Sequence, residues 1–376
     1  MKKFLLLPAI LLAACASVPT TPPLPAPDAI DAEVARLMQV EDVKGLALAV
    51  IDKGEIVRTA AYGHRNVEKD LPLETDTVMY GASLTKTAVA YTVLQLCQEG
   101  LFDLDTPLGD YLKKPLPQYE EFADLAANDR WKDLTARIVL THSTGLPNFR
   151  WLEDDGVLRF HWDPGKRYGY SGEGFYILQL AIEEHLGEDL GTIMDARVFV
   201  PLGMKNTSMM WRADFAENLA DGYAIDSSFI PHDERSGPSA AGSMDTTIED
   251  QALMWQAILK GDRLTAASHA DFFRPQLPIH SAHQFPTLWD FKDPRTEQVH
   301  LSAGLGLVTA EGPHGLTVFK GGHDDGTGNM AICEPELERC VVFLSNSVRA
   351  ELIYPDLAAF ILGDNGMPWW WEYNPD

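Results

Sequence analysis

Gly81-Ala82-Ser83-Leu84-Thr85-Lys86 opens an apolar run that keeps helical spacing to residue 99, and the chain divides around it. Ahead of it stand two β-rich runs, residues 45–52 (GLALAVID) and 56–62, joined at Lys53-Gly54-Glu55 as a hairpin. Behind it the pattern is mostly helical, over residues 136–141, 174–186, 190–199 and 247–259, with Pro- and Gly-rich connections. Strand-length runs return at 303–309, 316–320, 329–333 and 340–345. The two ends of the chain therefore build one antiparallel sheet flanked by helices, with a mostly helical insertion between them. This is an α/β chain of the α+β kind. A last helix, from Arg349 to about Leu362 and restarting at Pro355, is placed to cover the sheet.

The same hexapeptide carries chemistry. Residues three apart share a helix face, so the Lys86 amine can sit beside the Ser83 hydroxyl and help to remove its proton. A helix N-terminus adds unpaired N–H groups and a positive dipole end, which favour negative charge on a bound carbonyl. A serine at a helix start also serves as a plain cap, so the tetrapeptide needs support from elsewhere.

Composition bounds the answer. The chain has 376 residues and a formal net charge of −25, which opposes nucleic acid and anionic membrane surfaces. Lys2 and Lys3 precede an apolar stretch, Phe4 to Leu12, and then Leu12-Ala13-Ala14-Cys15. That sequence resembles a bacterial lipobox, which implies a signal peptide over 1–14, lipidation of Cys15 and a membrane held through acyl chains. An ordinary secretory signal with an incidental cysteine is the other reading. Residues 15–30 are proline-rich and suit an extended tether. Cys97 falls inside the helix that starts at Ser83 and reads as inert. Cys333 and Cys340 flank a hairpin loop, so they form a disulfide or simply pack as a cross-strand pair. No cysteine spacing suits zinc, and no metal or cofactor is implied.

Further segments join Ser83 in a fixed order: Asp103 to Leu108 (DLDTPL), Thr141 to Pro147 (THSTGLP), Pro164 to Ser171 (PGKRYGYS), Pro201 to Met204 (PLGM), Ala241-Gly242-Ser243 and Lys320-Gly321-Gly322. With them the chain resembles the serine β-lactamases and penicillin-binding proteins, nearest the class C β-lactamases and their esterase and D-aminopeptidase relatives. The likeness runs from about residue 30 to 348. It implies a catalytic domain over 31–376, with a sheet part over about 31–80 and 300–376 and a helical part over about 81–299. It also implies roles. Ser83 is the nucleophile, and Lys86 and Tyr170 move its proton, the phenol having its pKa lowered by the Lys86 ammonium. The backbone N–H groups of Ser83 and His323 form the oxyanion hole, and Lys320 attracts a substrate carboxylate or supports Tyr170. Gly322 belongs to the same substrate-binding strand. The His323 side chain is a second proton relay or a structural partner of Asp324 or Asp325.

Other candidates are set aside. His142 sits in what the family uses as a structural turn, so a Ser-His-Asp triad is not expected. His280 and His283 lie between Pro278 and Pro286 and read as a surface loop, and Trp369-Trp370-Trp371 reads as packing. Two positions depart from the family: Gly172 stands where Tyr-x-Asn has its asparagine, and Gly321 where Lys-Thr-Gly has its threonine. The acylation groups are kept and the groups that recognise a β-lactam are thinned, with Ser171, Glu173 or His323 as substitutes. The expected function is an envelope-tethered serine hydrolase, facing the periplasm, that works through an acyl-enzyme. Its substrate is a small ester, amide or peptidoglycan-related molecule, as for an esterase or a D-amino-acid peptidase. A β-lactamase or D-Ala-D-Ala carboxypeptidase is the alternative within the enzyme class, and a catalytically silent binding protein on the same fold is the alternative outside it.

Overall fold

The computed structural model describes residues 23–372, so Cys15 and the lipobox lie outside the described residues. After a first helix, α1 (Pro27–Glu41), come β1 (Gly45–Asp52) and β2 (Glu55–Asn66). The central helix α2 (Leu84–Gln98) follows, then α3 (Gly172–Leu186) and α4 (Ile248–Lys260) in the helical region. The chain returns to strands with β3 (Val308–Gly312), β4 (Gly315–Asp324), β5 (Thr327–Glu334) and β6 (Arg339–Ser345). It ends in α5 (Tyr354–Leu362) and the short α6 (Trp369–Glu372).

All sheet pairings are antiparallel. From one edge the order is Leu71–Pro72, β2, β1, β6, β5, β4, β3, Ser302–Ala303 and Leu277–Pro278. The two chain ends meet where β1 pairs β6, from Leu46 opposite Ser345 to Ile51 opposite Cys340. Cys333 and Cys340 face each other on β5 and β6 and are joined as a disulfide. Strand alternation gives β1 two buried faces. Ala47, Ala49 and Ile51 enter the core shared with α2 and α4, while Leu46, Leu48 and Val50 enter a second core under α1 and α5. An unbroken apolar run is what a strand covered on both sides requires.

Every residue of α2 from Leu84 to Leu96 is buried, so this helix runs through the middle of the molecule. It carries Lys86 into the interior with it. The run expected as one strand over 303–309 is two short ones, because the chain turns at 304–307, where Gly304 N donates to Leu307 O at 3.0 Å. Helix α5 starts after a 3-10 turn at Val348–Leu352 with Pro355 in its first turn, where a missing N–H costs nothing. Among the described residues no helix is long and apolar enough to cross a membrane.

Candidate active site

The mouth of α2 is held by its neighbours. Gly81 N donates to Met244 O at 2.8 Å, and Ala82 takes φ +46°, a left-handed setting that non-glycine residues adopt only when the surroundings impose it. Ser83 follows, half-buried, and one helical turn on Lys86 Nζ lies 3.0 Å from Ser83 Oγ. Lys86 is fully buried and also bonds the carbonyl of Ala241. Burial, helped by the charge of Lys320, holds its pKa well below the usual lysine range. Burial therefore favours the neutral amine beside the hydroxyl.

Strand β4 closes the other side. β3 pairs with it only from Gly315 to Phe319, so from Lys320 onward that edge of β4 is unpaired by β3. A Cβ on Gly322 would sit 2.8 Å from Gly81 O and 3.2 Å from Leu84 N, so the strand lies directly against the helix mouth. The strand expected over 316–320 continues as far as Asp324. Lys320 is buried, and its Nζ lies 3.3 Å from Tyr170 Oη and bonds Gly321 O. Burial lowers the Lys320 pKa to about 8, against the opposing pull of Glu372.

Tyr170 differs from expectation in its electrostatics. Burial drives its pKa far up, and the hydrogen bond with Ser83 offsets only part of this, so it is a phenol and not a phenolate. Lys86 Nζ stands 4.9 Å from the centre of the Tyr170 ring, and the ammonium at its oxygen belongs to Lys320. His142 stacks on the same ring, with centroids 4.0 Å apart, and its Nδ1 accepts from Ser171 N at 3.1 Å. Burial, first of all, with the nearby charge of Lys320, holds the His142 pKa well below the usual imidazole range, so the ring supports the tyrosine as a neutral flat plate.

Ser83, Lys86, Tyr170, Lys320, Gly321 and His323 all line one cavity of about 560 Å³. Gly322 faces the helix mouth instead. The His323 side chain meets Glu351 at 2.7 Å, and the charges of Asp324 and Asp325 also act on it. Burial alone would lower its pKa, but the hydrogen bond and charge of Glu351 outweigh that and raise it.

The place of the absent asparagine is already full. A Cβ on Gly172 would lie 2.3 Å from Cε1 and 2.7 Å from Cζ of Phe149. Two of the expected substitutes are occupied: Ser171 Oγ caps Gly174 N at 3.1 Å and donates to Pro147 O, and Glu173, wholly buried, is bridged to Arg150 at 2.7 Å. The amide that does reach the cavity is Asn148, whose Oδ1 accepts from Gly172 N at 3.2 Å. It directly follows the Thr141 to Pro147 segment, which was its only sequence signal. His283, read as surface loop, lies in the cavity wall, while His280 stays on the outside near Glu297. Trp371 packs, wholly buried, against Phe319 and Tyr168, and both it and the next residue, Glu372, line the cavity. Cys97 is half-buried, and burial pushes its thiol up to about 12.

A large antiparallel sheet with helices on both faces and a Ser-x-x-Lys at the mouth of the central helix defines the β-lactamase and transpeptidase class of fold. The Beta-lactamase family model matches residues 30–362, and the chain belongs to that family of serine hydrolases. It is 30% identical to D-aminopeptidase from Brucella anthropi over 187 residues, covering 48% of this chain and 36% of that protein. It is 25% identical to D-alanyl-D-alanine-carboxypeptidase/endopeptidase AmpH of Escherichia coli (strain K12) over 349 residues, 86% of each chain. The first curated relatives it matches are spanned over only 36% to 52% of their length. D-alanine carboxypeptidase AmpC from Burkholderia cenocepacia shares the fold, with a TM-score of 0.71 at 18% identity, over 89% of this chain and 98% of that one.

Proposed function

We propose that the protein hydrolyses small esters or amides, D-amino-acid amides and peptides among them, through an acyl-enzyme on Ser83. The observation that carries this is the 3.0 Å approach of a buried, low-pKa Lys86 to Ser83 Oγ. Lys86 accepts the proton as Ser83 attacks the carbonyl carbon, and the N–H groups of Ser83 and His323 receive the oxyanion. Tyr170 then gives its proton to the leaving atom, and the Lys320 ammonium at 3.3 Å steadies the phenolate that remains. In deacylation water returns a proton to Tyr170 as it attacks the ester, and Lys86 returns one to Ser83.

Simple esters need no amide contact to an acylamino group, and with Gly172 and Gly321 in place of asparagine and threonine they suit this site better than β-lactams do. Cys15 tethers the mature chain to the cell envelope by acyl chains, which metabolic labelling with a fatty-acid analogue tests directly: Cys15→Ser loses the label. For the chemistry, a fluorophosphonate probe should label Ser83 in the wild type and not in Ser83→Ala. Labelling that persists in the variant removes the mechanism, and a wild type that never labels or turns over esters supports the silent binding protein. In Tyr170→Phe, hydrolysis should fall by on the order of a hundredfold or more.

A further inference from the structure

The cavity contains a carboxylate from a segment beyond the 30–362 match to the family model. Glu372, at the end of α6, is 5% exposed and lines the cavity together with Ser83 and Lys320. Its seat is built from both sides. Gln284 Nε2 donates to Glu372 Oε2 at 2.6 Å, Gln284 N donates to Trp371 O at 3.0 Å, and Trp371 Nε1 donates to Ser281 Oγ at 3.3 Å. The Arg295 guanidinium covers the Trp370 ring at 4.2 Å. The loop around residues 281–295 and residues 370–372 therefore hold each other, and the Gln284 amide holds the carboxylate itself at the cavity wall.

A buried ammonium beside a nucleophile is a seat for an anion, because a buried charge seeks a partner. Here the chain itself supplies the negative charge near Lys320. We propose that Glu372 is a specificity-determining residue that turns substrate carboxylates away from Lys320, so that the site takes substrates whose group on that side is neutral or bears an ammonium. This deepens the acyl-enzyme reading and rests on it. Two carboxylates in one poorly hydrated pocket cannot both ionise without cost. The charged and titratable groups that act on Glu372 are Lys320, Tyr168, Tyr170 and Glu351, and Lys86, His283 and His323 line the same cavity. Burial raises the Glu372 pKa to about 7 while Lys320 pulls it down, so at pH 8 most molecules carry the repelling charge. Protonating it to admit a second carboxylate then costs about tenfold in binding.

The test compares an N-acyl-D-alanyl-D-alanine with its C-terminal amide at pH 8. The wild type should favour the amide in kcat/KM, and Glu372→Gln should raise the acid-to-amide ratio by on the order of tenfold. The same two peptides are also used to protect wild-type Ser83 from the phosphonate probe, a measurement that needs neither turnover nor the variant. There the amide should protect at lower concentration than the acid. A ratio that Glu372→Gln leaves unchanged, or a wild type that the free acid protects better, overturns the proposal. Failure of the acyl-enzyme reading looks different, since Ser83 then takes no label at all.

Discussion

Replacing Gly322 with alanine tests how closely β4 serves the nucleophile. The added Cβ would lie 2.8 Å from Gly81 O and 3.2 Å from Leu84 N, both backbone atoms of the helix mouth. Neither can rotate aside. Gly81 is fixed by its bond to Met244 O at 2.8 Å, and β4 is fixed by β5, with Gly322 opposite Asn329. Strand and helix mouth must therefore part by about 0.6 Å to reach the 3.4 Å at which ordinary contact begins. Overpacking of this kind costs about 1–3 kcal/mol of stability. The cost in rate is larger, because the two sides carry the two N–H groups assigned to the oxyanion, and a misplacement near 1 Å costs about a hundredfold. Gly322→Ala should thus lose roughly tenfold to a hundredfold in kcat on a p-nitrophenyl ester, with a drop of a few degrees in Tm. The control is Gly237→Ala, where a Cβ meets nothing within 4 Å, and it should be silent in both assays. Wild-type kcat in Gly322→Ala, with the melt confirming a folded protein, would refute the idea that this contact sets the oxyanion geometry.

Three further outcomes are expected. The pH profile of kcat/KM on a neutral ester should rise as Lys86 loses its proton at its depressed pKa and fall with an apparent pKa of about 8 as Lys320 loses its own; Lys320→Arg, which stays charged, should remove the alkaline limb whatever its absolute rate. Gly172→Asn should destabilise by about 1–3 kcal/mol in a denaturant titration, because the side chain must expel the Phe149 ring from its stack on Trp151 at 4.3 Å, and it should not improve penicillin turnover. Asn148→Ala should lower kcat/KM for an N-acyl-D-amino-acid amide more than for a simple ester, by about tenfold, if the Asn148 amide serves the acylamino group.

The sheet and the nucleophile helix could be read in the sequence because their signals are local. The run 45–51 alternates onto two buried faces, so it is apolar throughout, and α2 is buried on all sides from Leu84 to Leu96 because it lies between layers. Ser83 and Lys86 share a helix face by spacing alone, and the order of the remaining segments identifies the family. The electrostatics needed the tertiary structure. Whether a charged neighbour or burial governs the Tyr170 phenol depends on how much water the fold excludes, and burial wins. The same holds for space: Gly172 reads as a missing amide in one dimension and as the room taken by Phe149 in three. Glu372 was hidden because its meaning lies in a hydrogen bond with Gln284 and the charge of Lys320, 88 and 52 residues away in sequence, and nothing in a tryptophan-rich segment announces a carboxylate in the cavity of an active serine. Local periodicity determines which faces are buried; only the assembled fold determines which charges then share the same dry pocket.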